Sequence, residues 1–288
     1  MRNQHQLRAR LRGIGDGIAT ALAVLSTILV ILPLVAIFVY LLIKGASSVN
    51  LAFFTQIPKP VGEVGGGMAN AIVGSATLLA IASVLGVPVG IGGGVYLAEF
   101  GRGTKLANAI RFTADVLNGV PSIVMGIAAY ALIVMPQGHF SALAGGVALG
   151  IMMIPTICRT TEEMLLMVPH AVREAALGLG VPNWRSVLSI TVRTASPGII
   201  TGCMLAFARV AGETAPLLFT ALGNEFWSTS LNEPIAALPL QIYVYAISPY
   251  DDWHRLAWAG ALVLIFLIVL SVSLVRYVTS RGVLKGAS

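Results

Sequence analysis

The chain has 288 residues, of which 57% are apolar and 10% charged, with a mean hydropathy of +0.87. A water-soluble domain carries about 25% charged residues, so an ordinary soluble fold is excluded. The net charge of +6 does not point to nucleic acid, because the basic residues sit in short segments between apolar runs and not on one clustered face.

A bilayer core of roughly 30 Å is crossed by about 20 apolar residues in a helix. Six segments qualify or nearly so: 18–43, 70–98, 112–135, 141–158, 195–222 and 256–278. They predict an all-α polytopic membrane protein with one transmembrane domain over 18–278, an N-terminal segment 1–17 and a tail 279–288. No separate globular module is indicated. The first span follows an arginine-rich start but exceeds the roughly 7–15 apolar residues of a signal core, so it reads as an uncleaved span. In span two Gly86, Gly90 and Gly94 lie four apart, as do Gly198 and Gly202 in span five, and such ridges let helices approach closely in lipid. Pro88, Pro121, Pro197 and Pro216 are expected to bend or interrupt helices.

The basic residues set a direction. Fourteen fall on one side: Arg2, Arg8, Arg10 and Arg12, then Arg102, Lys105 and Arg111, then Arg159, Arg173, Arg185 and Arg193, and finally Arg276, Arg281 and Lys285. The other side has Lys44, Lys59 and Arg255, with Glu63, Glu225, Glu233, Asp251 and Asp252. The side rich in Lys and Arg is cytoplasmic, which predicts both termini inside. Cys158 and Cys203 fall at or within apolar segments and read as buried thiols. His5, His139, His170 and His254 are far apart, without metal-ligand spacing.

Between spans four and five, the stretch from Arg159 to Thr194 is too long for a turn and too short for a domain. Pro169 to Pro182 reads as a short helix, with Pro169 at its start and Gly180 and Pro182 at its stop. Ala175, Ala176 and Leu177 supply a modest apolar face. Farther on, Arg209 and Glu213 lie inside the fifth apolar segment at i and i+4, on one face of a continuous helix. An intramembrane charge costs about 2.5–3.5 kcal/mol on insertion scales and usually faces a bundle interior or a water-filled path. Two readings stay open. The two residues form a self-neutralising pair that fixes packing, or Arg209 lends positive potential to a passing oxyanion while Glu213 holds it in place.

Glu174-Ala175-Ala176, followed after three residues by Gly180 and after nine more by Ile190, resembles the EAA loop of binding-protein-dependent ABC importer permeases. That pattern closes Ile-x-Leu-Pro, whereas this chain reads Ile190-Thr191-Val192-Arg193. Further stretches are similar to phosphate-specific permeases of the PstA type: Arg209 to Thr220, Gly119 to Gly126, Tyr96 to Glu99, Phe226 to Thr229 and Leu256 to Gly260. The similarity runs from about Gly66 to the end.

The resemblance implies a type I ABC importer permease fold in a bacterial inner membrane. It implies a cytoplasmic coupling helix in which Glu174, Ala175, Ala176 and Gly180 meet a groove of an ATPase, and a substrate pathway containing Arg209 and Glu213. Its implied partners are a second permease of the PstC type, two PstB-type ATPases and a PstS-type phosphate-binding protein outside. The outer segments 44–69 and 223–255 would receive that binding protein. This chain has no Gly-x-x-x-x-Gly-Lys-Ser/Thr loop, so ATP and Mg²⁺ belong to the partner ATPase and this subunit binds no cofactor and is not itself an enzyme. The rival readings are the same machine carrying phosphonate, sulfate or molybdate, an autonomous ion-coupled transporter or channel, and a membrane scaffold that senses phosphate.

Overall fold

The computed structural model describes residues 2–63 and 65–285, with backbone alone for 2–14 and 280–285. The last three residues of the expected tail lie outside the described residues. So do the side chains of Arg2, Arg8, Arg10, Arg12, Arg281 and Lys285 that enter the charge asymmetry.

Every regular element among the described residues is a helix. α1 (Arg2–Gly45) leads into the short α2 (Leu51–Thr55), where the Asn50 side chain accepts from Phe53 N at 2.9 Å and caps the first turn. α3 (Ala69–Phe100) ends in a π turn over Tyr96–Phe100. α4 (Lys105–Gly119) is capped by Thr104, and α5 (Ser122–Gln137) follows. α6 (Ala142–Leu166) is capped by Ser141, whose hydroxyl accepts from Ala144 N. α7 (His170–Gly178) precedes α8 (Asn183–Ala211), the single turn α9 (Ala215–Leu218), α10 (Leu238–Ala246) and α11 (Asp251–Lys285). Asp251 and Asp252 sit in the first turn of α11, where the helix dipole favours negative charge.

The core is a seam between α3 and α6. A Cβ built on Gly86 would stand 3.0 Å from the Cβ of Met153. One on Gly90 would lie 2.7 Å from the Cβ of Ile157, and one on Gly94 2.5 Å from the Cβ of Thr161. Both helices advance four residues per contact in the same direction, so they run parallel, backbone against backbone. α8 crosses α6 the other way, with Gly198 against Met164 and Gly202 against Thr160. These are the glycines that the spacing singled out. Around the seam gather Leu78, Leu149, Met153, Ile157, Ile199 and Val210, all buried. α1 joins this bundle at its last turns alone. Leu41 is buried, and a Cβ on Gly45 would lie 2.7 Å from the carbonyl oxygen of Trp258 in α11. From Gly15 to Tyr40 it is exposed on every side.

Three expected spans differ in outline. The segment 112–135 is not one helix: α4 and α5 meet at a 109° bend. Pro121 forces Val120 into an extended conformation (φ −70°, ψ 132°), which ends α4. The fourth span continues past residue 158 to Leu166, and of the charges on its added turns Arg159 and Glu162 are paired while Glu163 is exposed. The fifth helix starts earlier and ends earlier than 195–222, at Asn183 and Ala211. Beyond it Pro216 has no N–H to continue the ladder, and the chain restarts as α9. Pro88 and Pro197, by contrast, lie inside helices that continue past them.

Gly94→Leu is expected to cost about 1–3 kcal/mol through overpacking of the seam, since backbone carbonyl Cys158 O stands 2.6 Å from the added Cβ. Gly92→Ala, with nothing within 4 Å of its Cβ, should be neutral. Thermal unfolding of the two variants in detergent measures the contrast.

Candidate functional site

At one end of the bundle lies α7, a helix of nine residues. Pro169 starts it. At its other end Gly180 N–H donates to Leu177 O at 2.9 Å and Val181 N–H to Ala176 O at 3.2 Å, with Gly180 at φ +76°. That is the two-bond stop that requires a left-handed residue after the last turn. Ala176 is buried and Val172 half-buried against the core, while Glu174 and Ala175 are exposed. The neighbouring surface is apolar as well: Leu179 is 85% exposed and Trp184 61%. The four residues expected in a coupling helix thus form one structural unit, three of them outward and Ala176 inward.

Arg173 ties this unit to the bundle. Its Nη2 lies 2.7 Å and its Nε 3.2 Å from Glu99 Oε1 at the end of α3, while Nη1 donates to Val168 O and Nη2 also to Leu165 O, each at 2.7 Å. A second cluster holds α4 to α6. Arg111 Nε stands 2.6 Å from Glu162 Oε1, Arg159 Nη1 2.8 Å from Glu162 Oε2, and Arg159 Nε 3.0 Å from Asp115. Glu162 is itself buried. A buried carboxylate is tolerated when paired and hydrogen-bonded, and Glu162 has a guanidinium on each oxygen. Sequence reasoning used these arginines as topology markers and missed the acids. Arg159 and Glu162 at i and i+3 were the one local signal. Glu99 and Arg173, 74 positions apart, had none.

The fifth span corrects the expected pair. α8 ends at Ala211, Arg209 occupies its last turn and Glu213 lies beyond the end, so the two do not share a helical face. They form no ion pair, and Arg209 is exposed with no hydrogen-bond or ion-pair partner among the described residues. Glu213 is half-buried near Ser75 and Pro239. The break is held in place from the side, because a Cβ on Gly126 of α5 would stand 2.6 Å from Pro216 Cα. The structure thus shows no self-neutralising pair between them. Instead a helix end, whose Arg209 and Val210 carbonyls accept from Gly212 N–H and Glu213 N–H, and a bare guanidinium occur together. In hydrocarbon such groups persist where they line a watery path or meet protein. Along α8, Arg209 is about 40 Å from the α7 end at 1.5 Å per residue.

Residues 90–282 match the family model described as "Binding-protein-dependent transport system inner membrane component". A Yersinia pestis protein named phosphate transport system permease protein PstA is 48% identical over 238 residues, covering 83% of this chain and 81% of that protein. The Haemophilus influenzae protein of the same name is 43% identical over 273 residues, 94% of this chain and 96% of its own length. Among solved structures, a chain of the MetNI methionine ABC transporter in an inward-facing crystal form superposes with a TM-score of 0.56 at 21% identity. It covers 75% of this chain and 95% of that one. At that identity the likeness is one of fold. The chain belongs to the binding-protein-dependent transport permeases and, within them, to the PstA family.

Gly180→Ala should loosen α7 without any steric clash, since nothing lies within 4 Å of its Cβ. A left-handed conformation costs a residue with a side chain about 1–2 kcal/mol, which corresponds to roughly 5- to 30-fold faster amide hydrogen exchange over residues 170–178. Unchanged exchange there would show that the stop is not set by this glycine.

Proposed function

We propose that the chain is one permease half of an ATP-driven phosphate importer in a bacterial inner membrane, with both termini in the cytoplasm. The observation that carries the cargo is Arg209, a fixed positive charge with no partner, beside a broken helix and on the outside of the subunit. An anion crossing a low-dielectric path needs such a counter-charge. The relatives' names agree with it. The other wall of the path is a PstC-type permease, whose surface meets the face that carries Arg209. Two PstB-type ATPases, which hold the ATP and Mg²⁺, engage the outward side of α7 through Glu174, Ala175 and the turn at Gly180. A PstS-type protein delivers phosphate at the opposite end. The subunit performs no chemistry itself. The exposed apolar surface around Leu179 and Trp184 supports a protein dock, since such a surface facing water is covered by a partner.

Orientation is tested by single cysteines. Positions 12 and 285 should be labelled from the cytoplasm and positions 63 and 251 from outside; external labelling at 12 or 285 would sink the assignment.

Arg209→Gln tests the cargo reading directly, because Glu213 is not its partner and is not left stranded by the change. A hydrogen bond to a charged group contributes about 1.5–3 kcal/mol, so phosphate uptake should fall roughly ten- to hundredfold while the complex still assembles. Near-wild-type uptake by an assembled Arg209→Gln transporter rejects the counter-charge role.

A further inference from the structure

We propose that the Glu99–Arg173 pair is the link through which movement of α7 is passed to α3. Glu99 and Arg173 are then positioning residues of the transport cycle. The proposal rests on reading α7 as the ATPase dock.

Apart from Arg173, α7 is held by its flanking turns, by the neighbouring first turns of α8 and by small apolar contacts. Its ends are turns, one at Pro169 and one at the left-handed Gly180. Of its nine residues Ala176 alone is buried, and Val172 reaches the core partially. Alanine offers a contact surface but no grip, and an apolar contact resists pulling along the membrane weakly because it has no direction. Arg173 is different. Its guanidinium is rigid and planar, its side chain is 13% exposed and that of Glu99 9%, and it bonds Glu99, Val168 and Leu165 at once. Charge-assisted bonds of this kind are short, directional and stronger than neutral ones. The cation also lies at the C-terminal carbonyls of α6, where a helix dipole favours positive charge.

What Glu99 is attached to gives the pair its consequence. It sits in the π turn that ends α3, and α3 is locked to α6 along the glycine seam from Gly86 to Gly94. Displacing α7 therefore displaces both helices as one body. Through α8, which crosses α6 at Gly198 and Gly202, the same body reaches the broken helix at Arg209. The other ion-pair cluster, Arg111–Glu162–Arg159–Asp115, joins α4 to α6 and, through Arg111 Nη2 on Leu97 O at 3.1 Å, to the same π turn of α3, but it includes no residue of α7.

The test uses the complete transporter in vesicles, with both permeases, the ATPase and the binding protein, and reads phosphate imported per ATP hydrolysed. Glu99→Gln removes the charge from α3 but leaves Arg173 its two carbonyls on the α6 side. With coupling free energies that commonly correspond to about 5- to 150-fold, the ratio is expected to drop about tenfold while the ATPase co-purifies as in wild type. A second variant, Glu99→Cys with Arg173→Cys in a background lacking Cys158 and Cys203, is assayed before and after a short bismaleimide joins the two positions. The uncrosslinked form should be uncoupled and the crosslinked form should recover most of the ratio. A wild-type ratio in Glu99→Gln overturns the proposal. So does loss of the ATPase from that variant, which would make the pair a support for assembly, or a cysteine pair indifferent to crosslinking. Wild-type permease that captures no ATPase, or Glu174→Lys that captures it normally, counts instead against the dock on which the proposal rests.

Discussion

Close approach of two backbones, α3 and α6, is the contact on which the other features of the bundle depend. Lipid tails are as apolar as leucine, so helices in a bilayer gain little from burying leucine against leucine and much from packing closely. Glycines at 86, 90 and 94 supply that closeness on one side, and Met153, Ile157 and Thr161 fill the space on the other. Because the two helices run parallel and in step, they form one body along the seam. α8 is then laid across it by a second pair of glycines. Both ends of functional interest hang from this body: α7 at its foot, and the helix break by Arg209 at the far end of α8.

Charge is distributed over this frame by an evident rule. At the foot of the bundle every buried charge among the described residues is paired. Glu162 has two arginines, and Arg173 has Glu99 and two carbonyls. Pairs of this kind contribute uncertainly to stability, because desolvation offsets much of the attraction, but breaking one is costly and so the geometry is held. Arg209 is exposed and falls outside this rule. It is neither buried nor paired, and it stands where the polypeptide itself stops being helical. One end of the molecule thus holds its charges in pairs, and at the other an unpaired guanidinium is exposed.

The sequence by itself determined the class of the protein and most of its elements. Long apolar runs between basic segments have one stable solution, helices in a bilayer, since no other open structure satisfies its backbone in hydrocarbon. The short helix His170–Gly178 and its stop at Gly180 were also readable, because capping is a local matter settled by neighbours within five residues. So were the glycine ridges.

Only the tertiary structure decided where the fifth helix ends, how the third segment folds, and which charges meet. Pro121 and Pro216 break their helices while Pro88 and Pro197 do not, and nothing in the local residues separates the two cases. Arg209 and Glu213 look like partners at i and i+4, a relation that lapses once the helix stops at Ala211. Arg173 finds Glu99 across 74 residues of chain. Such a pair is created by the parallel packing of α3 and α6, which carries the end of one helix to the foot of the other, and periodicity within a segment carries no information about it.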